Sequence, residues 1–282
     1  MALGILTNVA ATYAENNLNQ TQGSLQKVLQ QLSSGSRINS GADDAAGLAV
    51  ADGLAANEAA LTQSAQNAQN GVGLLQTADG ALSQVTNLLN RAVTLATEAA
   101  NGTLTSGQVS SADAEYQNIL TEIGNIGSST NFNSSAVFSA TATNFVVSDG
   151  TTAGTTTFAD TIGALTTASI GTATGGGAGE DLSASTLTAA GAAAELAKIT
   201  TAIADVANQR GTIGANINQL NAASSVASSE QVNLSAAESN IRSTNYGQAT
   251  SDLAKFQVLS QTGISALAQA NSVQQEILKL LQ

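Results

Sequence analysis

The stretch LSSGSRINSGADDAAGLAV, residues 32–50, holds the densest group of side chains that could do chemistry: one arginine, two adjacent aspartates and three evenly spaced glycines. These residue types could form a phosphate loop, a carboxylate site or a joint between two helices. A P-loop ends in Gly-Lys-Ser/Thr, and this stretch has no lysine. The dinucleotide-binding spacing G-x-G-x-x-G is also absent, so we do not expect nucleotide binding here.

The acidic pair is poorly placed for catalysis or metal binding. Asp43 and Asp44 are neighbours in sequence, and side chains of adjacent residues do not converge on one face of a helix. An EF-hand needs oxygen ligands at alternate positions and a distant Glu, which this stretch lacks. We predict instead that Asp43 or Ser40 caps a helix beginning near Asp44, because carboxylates stabilise helix N-termini.

The other residues of the stretch complete a predicted joint between two helices. Gly35 and Gly41 supply the permissive backbone that ends the first helix and makes the turn. Arg37 is then available to pair with an aspartate or to reach another chain, and Asn39 lies in the turn between the two glycines.

The composition removes most kinds of active site. The 282 residues include no histidine and no cysteine. A Ser-His-Asp triad, imidazole metal ligands, thiolate zinc sites and disulfides are therefore excluded. Nothing else in the chain resembles a nucleophile with its base. We expect no enzyme activity, no cofactor and no metal site.

The charge balance limits the partners. The formal net charge is −12, and only eight Lys and Arg residues are spread through the chain. Binding nucleic acid or an anionic membrane surface requires clustered basic residues, so we expect neither partner. No apolar run approaches the ~20 residues that span a bilayer, and the first residues lack the cationic start of a cleavable secretory signal. Composition alone would suggest a cytoplasmic protein.

Both ends of the chain show helical periodicity, and the absence of proline allows long helices. The predicted terminal helices carry apolar faces that need a partner. We assign to these faces the following residues: Leu3, Leu6, Val9, Leu253, Phe256, Leu267, Ile277 and Leu281. Another run from Leu196 to Leu220 repeats in steps of three and four, which indicates a coiled-coil seam. Arg210 interrupts it, either as a register device or as a long stem that reaches solvent.

The middle of the chain follows a different pattern. Two β-prone runs, Phe145 to Val147 and Thr155 to Phe158, flank a Gly-containing loop and indicate a hairpin. The Gly/Ser/Thr-rich segment 171–185 is predicted to be an exposed loop. The predicted fold class is mainly α: a long antiparallel helical coiled-coil hairpin or bundle with a small β-hairpin insert in the middle.

Several long segments resemble the bacterial flagellins, in the order and spacing of that family. They are LSSGSRINSGADDAAGLAV (32–50), NAQNGVGLLQTADGALSQV (67–85), LLNRAVTLATEAANGT (88–103), AEYQNILTEIGNIGSSTNFN (114–133) and the C-terminal stretch NIRSTNYGQATSDLAKFQVLSQTGISALAQANSVQQEILKLL (240–281). The resemblance covers nearly everything outside residues 140–190.

The resemblance implies a structural subunit that polymerises into the extracellular filament of the bacterial flagellum for swimming motility. It implies an inner coiled-coil domain of residues 1–40 and 242–282, which mediates assembly. It also places the joint at the link between this domain and the rod, where the joint takes part in contacts between subunits. It further implies a helical rod of residues 41–170 and 191–241, with the hairpin at about 140–170. Residues 171–190 then stand as a short loop in place of outer domains. The alternative is a hook–filament junction protein, which would share the terminal helices.

The resemblance also implies partners and a location. The main partner is the chain itself, in a helical homopolymer. Others are the flagellar type III export apparatus and its chaperone, the filament cap and the hook-junction proteins. Export proceeds without a cleaved signal peptide, which replaces the cytoplasmic expectation. Arg91, Leu95 and Glu115 match positions that the family uses to contact the flagellin-sensing Toll-like receptor, although Val93 and Thr94 depart from its pattern.

Overall fold

A computed structural model describes residues 8–149, 157–171 and 179–280 of the chain. The described residues form five helices and two small antiparallel hairpins, which confirms the predicted fold class. The elements in chain order are α1 (Val9–Ser34), α2 (Ala45–Ala100), α3 (Ser106–Ser129), β1 (Asn131–Phe132), β2 (Ser135–Ala136), β3 (Thr143–Val146), β4 (Thr157–Asp160), α4 (Ala192–Arg242) and α5 (Tyr246–Leu280). None of the described helices is long and apolar enough to cross a membrane.

The chain divides into two compact units. Unit 1 comprises Met1–Ala56 and Asn233–Gln282, and unit 2 comprises Asn57–Val232. The sequence analysis instead drew its domain boundaries at residues 40 and 241, so the joint falls wholly within unit 1. The assignment of these parts to an inner layer and a rod stays a prediction.

Unit 2 has an extensive apolar core built from heptad-spaced residues. On α2, Leu75, Leu82 and Leu89 are fully buried at seven-residue intervals. The predicted seam on α4 is buried in the same way, through Ile199, Val206, Ile213 and Leu220. A seven-residue repeat keeps an apolar stripe on one side of a helix, which is why these positions could be predicted from the sequence.

Two hairpins follow α3 in unit 2. The predicted hairpin is present as β3 and β4, which pair with Phe145 opposite Phe158. Thr155, which the prediction placed in the second strand, lies outside the described residues. The sequence analysis missed the two-residue turn between β1 and β2, where Asn133 and Ser134 both have positive φ, at 49° and 64°. Two successive positive φ values are the signature of a type I′ hairpin turn.

The segment predicted as an exposed loop is partly a core element. Leu182 is fully buried and Ser185 is 2% exposed, so the prediction is wrong at these two positions. Asp181, Ser183 and Ala184 are exposed, as predicted. Backbone bonds hold the segment: Leu182 N donates to Thr167 O at 2.8 Å, and Ile170 bridges to Glu180. A Cβ on Gly171 would lie 2.6 Å from the backbone of Asp205, so only glycine fits at this close approach.

Unit 1 is built around the pairing of α1 with α5. Asn8 Nδ2 donates to Ala270 O at 3.0 Å, while Thr244 N, just before α5, donates to Gly35 O at 3.0 Å beyond the end of α1. The two helices therefore run antiparallel. The buried residues of the described part of this unit are few: Val28, Ile38, Ala51, Thr244 and Ala249.

Candidate functional site

The joint begins where α1 ends at Gly35. This residue has φ +71°, the left-handed conformation that closes many helices, and a Cβ there would lie 2.9 Å from Tyr246 Oη. Gly41 lies in the following turn, but its φ is not in the left-handed region and a Cβ would meet only Leu48 at 3.9 Å. The backbone conformation therefore requires a glycine at Gly35, whereas the backbone at Gly41 does not require one.

Backbone bonds tie the joint to the segment that links α4 and α5. Arg37 N donates to Arg242 O at 2.6 Å, and Ser36 forms an isolated antiparallel bridge with Ser243. The tie joins residues more than 200 positions apart in the chain. These contacts join main-chain atoms, so no pattern of side chains in the sequence predicts them.

The side chain of Arg37 does not form the predicted aspartate pair. Its Nη2 donates to Ile241 O at 2.9 Å, and the residue is exposed. Asn39 also acts locally, because its Nδ2 donates to Ser36 O at 2.8 Å. The side chains of Arg37 and Asn39 therefore both donate to backbone carbonyls of the same chain. The alternative prediction, that Arg37 reaches another chain, stays a prediction.

Asp43 organises the turn. Its Oδ1 lies 2.8 Å from Lys27 Nζ, and its Oδ2 accepts from Asn39 N at 3.2 Å and from Ser40 N at 3.1 Å. The hydrogen bond with Lys27, followed by that from the Asn39 backbone, lowers the pKa of Asp43 from 3.8 to about 2. The charged form of this carboxylate thus links α1 to the turn.

The cap of α2 is Asp44 rather than the predicted Asp43 or Ser40. Asp44 Oδ1 accepts from Gly47 N at 2.8 Å, and the helix begins at Ala45. A carboxylate that accepts from the third residue of a helix satisfies one of its free N–H groups. The two adjacent aspartates therefore have separate structural roles, because one binds the turn and the other starts the helix.

The sequence analysis also missed a cluster of charges at the end of α4. Arg242 Nη1 lies 3.0 Å from Glu238 Oε1 and 3.8 Å from Asp52 Oδ1. The four-residue spacing of Glu238 and Arg242 was visible in the sequence and is the usual spacing of a helical ion pair. The contact with Asp52 could not be read from spacing.

The predicted terminal faces are only partly covered in unit 1. Val9 is 60% exposed, while Leu253, Phe256 and Leu267 are half-buried. Leu3, Leu6 and Leu281 lie outside the described residues, as does the side chain of Ile277. Other large apolar side chains of α1 and α5 share this exposure: Tyr13, Leu29, Tyr246, Val258, Leu259, Ile264 and Val273.

The three residues matched to receptor contacts lie in unit 2. Arg91 Nε and Nη2 donate to the two oxygens of Glu115 at 2.7 and 3.0 Å. This bidentate contact lowers the pKa of Glu115 and raises that of Arg91. Both side chains are about half exposed, whereas Leu95 is 2% exposed and belongs to the core. The structure therefore presents an exposed ion pair with the leucine beneath the surface.

The charged interruption of the α4 seam has a partner. Arg210 Nε lies 2.7 Å from Asp79 Oδ1, and its Nη2 lies 3.3 Å from Oδ2. The hydrogen bonds that Arg210 donates to the Asp79 carboxylate raise the pKa of Arg210. The guanidinium of α4 thus pairs with a carboxylate of α2, while the Arg210 side chain remains 36% exposed to solvent. Its role as a register device or as a long stem that reaches solvent stays a prediction.

The described residues define a mainly helical protein, with antiparallel terminal helices in one unit and a helical core with hairpins in the other. No group of three or more His, Cys, Asp or Glu residues in the described ranges is arranged to hold a metal ion. Polar side chains at the joint are used for backbone contacts and ion pairs. The exposed apolar side chains of α1 and α5 form faces that are suited to packing against another surface.

Comparisons with known proteins agree with this class. The model of the bacterial flagellin N-terminal helical region matches residues 5–143, and that of the C-terminal helical region matches residues 196–281. The chain belongs to the bacterial flagellin family.

Individual relatives differ in how much of their length is matched. Flagellin FlaB2 of Treponema pallidum (strain Nichols) is 32% identical over 97% of this chain and 98% of its own length. Flagellin 1 of Proteus mirabilis is 41% identical over 54% of this chain, but the match spans only 41% of that protein. A crystal structure of Bacillus cereus flagellin is 29% identical with a TM-score of 0.47, covering 57% of this chain and 88% of that one.

Proposed function

We propose that this chain polymerises through its terminal helices into the filament of the bacterial flagellum, as a structural subunit and not as an enzyme. Membership of the flagellin family supports the proposal, as does the similarity to a Treponema phagedenis protein described as a flagellar filament 33 kDa core protein. The observation that carries the mechanism is the imbalance in unit 1, where few residues are buried and many large apolar side chains are exposed.

The exposed side chains supply a driving force for assembly. Val258 is 62% exposed and Ile264 is 50% exposed, on the same helix as Val273. Full burial of one such side chain contributes about 1.5–3 kcal/mol. Neighbouring copies would bury these faces, so polymerisation would further stabilise the terminal helices that already pair within one chain. Head-to-tail contacts that do not close on themselves produce a helical polymer.

The domain assignment is part of the same proposal. Unit 1 forms the inner assembly layer, and unit 2 forms the rod that carries the β3–β4 hairpin. The contacts of the joint support extending the inner domain from residue 40 to Ala56, because Asp52 approaches Arg242. Residues 171–190 stand in place of outer domains, and the burial of Leu182 supports a compact connection over the described part of that segment.

The finer parts of the proposal rest on family membership. The filament is extracellular, and the chain reaches it through the flagellar export apparatus with its chaperone, without a cleaved signal peptide. The filament cap and the hook-junction proteins are further partners. A role as a hook–filament junction protein is not favoured, because both family models and the full-length relatives are flagellins or a filament core protein.

Electron microscopy of the purified chain after seeding with filament fragments tests the assembly proposal. We expect long tubular filaments, because the exposed faces of α1 and α5 are buried only when copies pack together. The unseeded chain at the same concentration is the control for spontaneous aggregation. Persistent monomers or short caps after seeding would contradict a role as a filament subunit.

Receptor recognition is a separate proposal with its own test. The exposed Arg91–Glu115 pair offers charged and hydrogen-bonding groups to the flagellin-sensing Toll-like receptor. We expect purified monomer to activate a receptor reporter, and Arg91→Ala to weaken activation by at least about tenfold, equivalent to 1.4 kcal/mol of binding. Lys198→Ala is the matched control, since Lys198 is an exposed cation of the same unit paired with Glu195. If the unaltered monomer gives no response while a reference flagellin activates the same reporter, the proposal is wrong.

A further inference from the structure

The chain contains two Asn-Gly pairs, Asn70–Gly71 and Asn101–Gly102, and the structure places them in opposite surroundings. The first lies inside α2, and the second follows the last residue of that helix, Ala100. Both asparagines are exposed. The difference between the pairs lies in the backbone of the glycine.

Gly102 has open space beside its Cα and lies outside the helix. Its φ is +66°, and a Cβ built on it would have no heavy atom within 4 Å. Asn101 N donates to Glu98 O at 3.1 Å. Within the described ranges, no hydrogen bond is donated by Gly102 N and none involves the side-chain amide of Asn101.

Gly71 is fixed in a regular helix and packed against a side chain. As an interior residue of α2, it contributes its N–H to the ladder that runs from each residue to the one four positions earlier. The residue is buried, and a Cβ on it would lie 2.9 Å from Leu220 Cδ1. Its nitrogen therefore cannot turn towards the side chain of Asn70 without breaking the helix.

We propose that Asn101 is a site of spontaneous deamidation and that Asn70 is protected by its helix. Gly102 N loses its proton to a solvent base and attacks Asn101 Cγ, forming a C–N bond. The bond from Cγ to the side-chain nitrogen breaks, and ammonia leaves with a proton from solvent. Water then opens the resulting five-membered succinimide at either carbonyl, giving aspartate or isoaspartate.

The balance of the step is one water consumed and one ammonia released, so no oxidant or other co-reactant is needed. The product adds one negative charge to a chain of formal net charge −12. That charge appears at the C-terminal end of α2, where the helix dipole disfavours an anion. It also stands three residues after Glu98, a carboxylate that already acts on Arg91. The modification would fray the end of α2 slowly, as the protein ages.

Peptide mapping by mass spectrometry tests the proposal on the full chain. Purified protein is incubated at mildly alkaline pH, and deamidation of the two asparagines is followed in the same samples. We expect Asn101 to react at least about tenfold faster than Asn70, which corresponds to a barrier difference of about 1.4 kcal/mol. Aspartate and isoaspartate peptides, which differ in retention time, should both appear at position 101.

Two comparisons make the result decisive. In denaturant the helix is lost, so the rates at Asn70 and Asn101 should become similar. Asn101→Gln keeps an amide at the site but lengthens the ring that must close, so the acidic product should disappear while the helical content is retained. Equal rates at the two asparagines in the native protein would overturn the proposal. A rate difference that persists unchanged in denaturant would also overturn it, because flanking sequence would then explain the difference.

Discussion

Removal of residues 246–282 should abolish polymerisation while leaving the core of unit 2 folded. The deletion takes away α5, the partner of α1, and with it Val258, Leu259 and Ile264. The apolar core cluster of unit 2 lies between Ala68 and Leu220 and includes no residue of the deleted segment. The loss should therefore be confined to unit 1, and we expect it to eliminate filaments altogether.

Sedimentation, electron microscopy and circular dichroism measure this result together. The truncated chain should stay monomeric after seeding, lose the helical signal of α5 and much of that of α1, and keep one cooperative thermal transition from unit 2. Filaments of normal form from the truncated chain would show that the terminal pair is not needed. Loss of the remaining transition would contradict the independence of the unit 2 core.

A point-substitution version separates pairing of α1 with α5 from contacts between copies. Val258→Asp with Ile264→Asp places two charges on the exposed apolar positions of α5. We expect the helical signal to persist and polymerisation to fail, because burying unpaired charges costs several kcal/mol. Gln257→Asp with Ser265→Asp adds the same charge at exposed polar positions and should impair assembly far less.

Loss of the charge on Asp43 should destabilise the joint at neutral pH and remove part of its acid sensitivity. The pKa of Asp43 is lowered from 3.8 to about 2, so its folded state favours the ionised carboxylate. The stabilisation is fully present above pH 3.8 and is lost as the pH falls through about 2. Asp43→Asn keeps an acceptor but removes the charge that binds Lys27, so filaments of this variant should dissociate at a lower temperature at pH 7.

Turbidity melts of filaments between pH 7 and pH 2 measure this effect. The difference in dissociation temperature between the unaltered chain and Asp43→Asn should shrink as the pH falls and vanish near pH 2. Asp181→Asn is the matched control, because hydrogen bonds from Ser183 lower the pKa of that carboxylate also, but in unit 2. A difference for Asp43→Asn that stays constant down to pH 2 would show that the charge is not the cause.

The parts of the fold that repeat locally could be predicted from the sequence. The heptad positions of α4, such as Ile213 and Leu220, follow from a period that any single helix displays. The left-handed glycine at Gly35 and the hairpin around Phe145 and Phe158 also have local signatures. These features are confirmed. They could be predicted because residues that are near in sequence determine them.

The pairings between distant segments could not be predicted in this way. Lys27 binds Asp43 and Arg37 binds the Ile241 carbonyl, and nothing in the local spacing chooses these partners over others. The burial of Leu182 was missed because its neighbours are glycine, serine and acidic residues, while its packing depends on helices far away in the chain. In the joint, the candidate residues could be listed from the sequence, whereas their individual contacts could not be predicted.

The bridge between Ser36 and Ser243 can form only late in synthesis of the chain. Since α5 follows α1 by more than 200 residues, a ribosome completes all of unit 2 before the partner of α1 emerges. Closing so long a loop also costs entropy, which grows with the logarithm of its length. Unit 2 can thus fold early from nearer contacts, whereas unit 1, to which we assign polymerisation, is completed last. A growing chain therefore lacks the paired surface of α1 and α5, and it cannot start a polymer through that surface inside the cell that makes it.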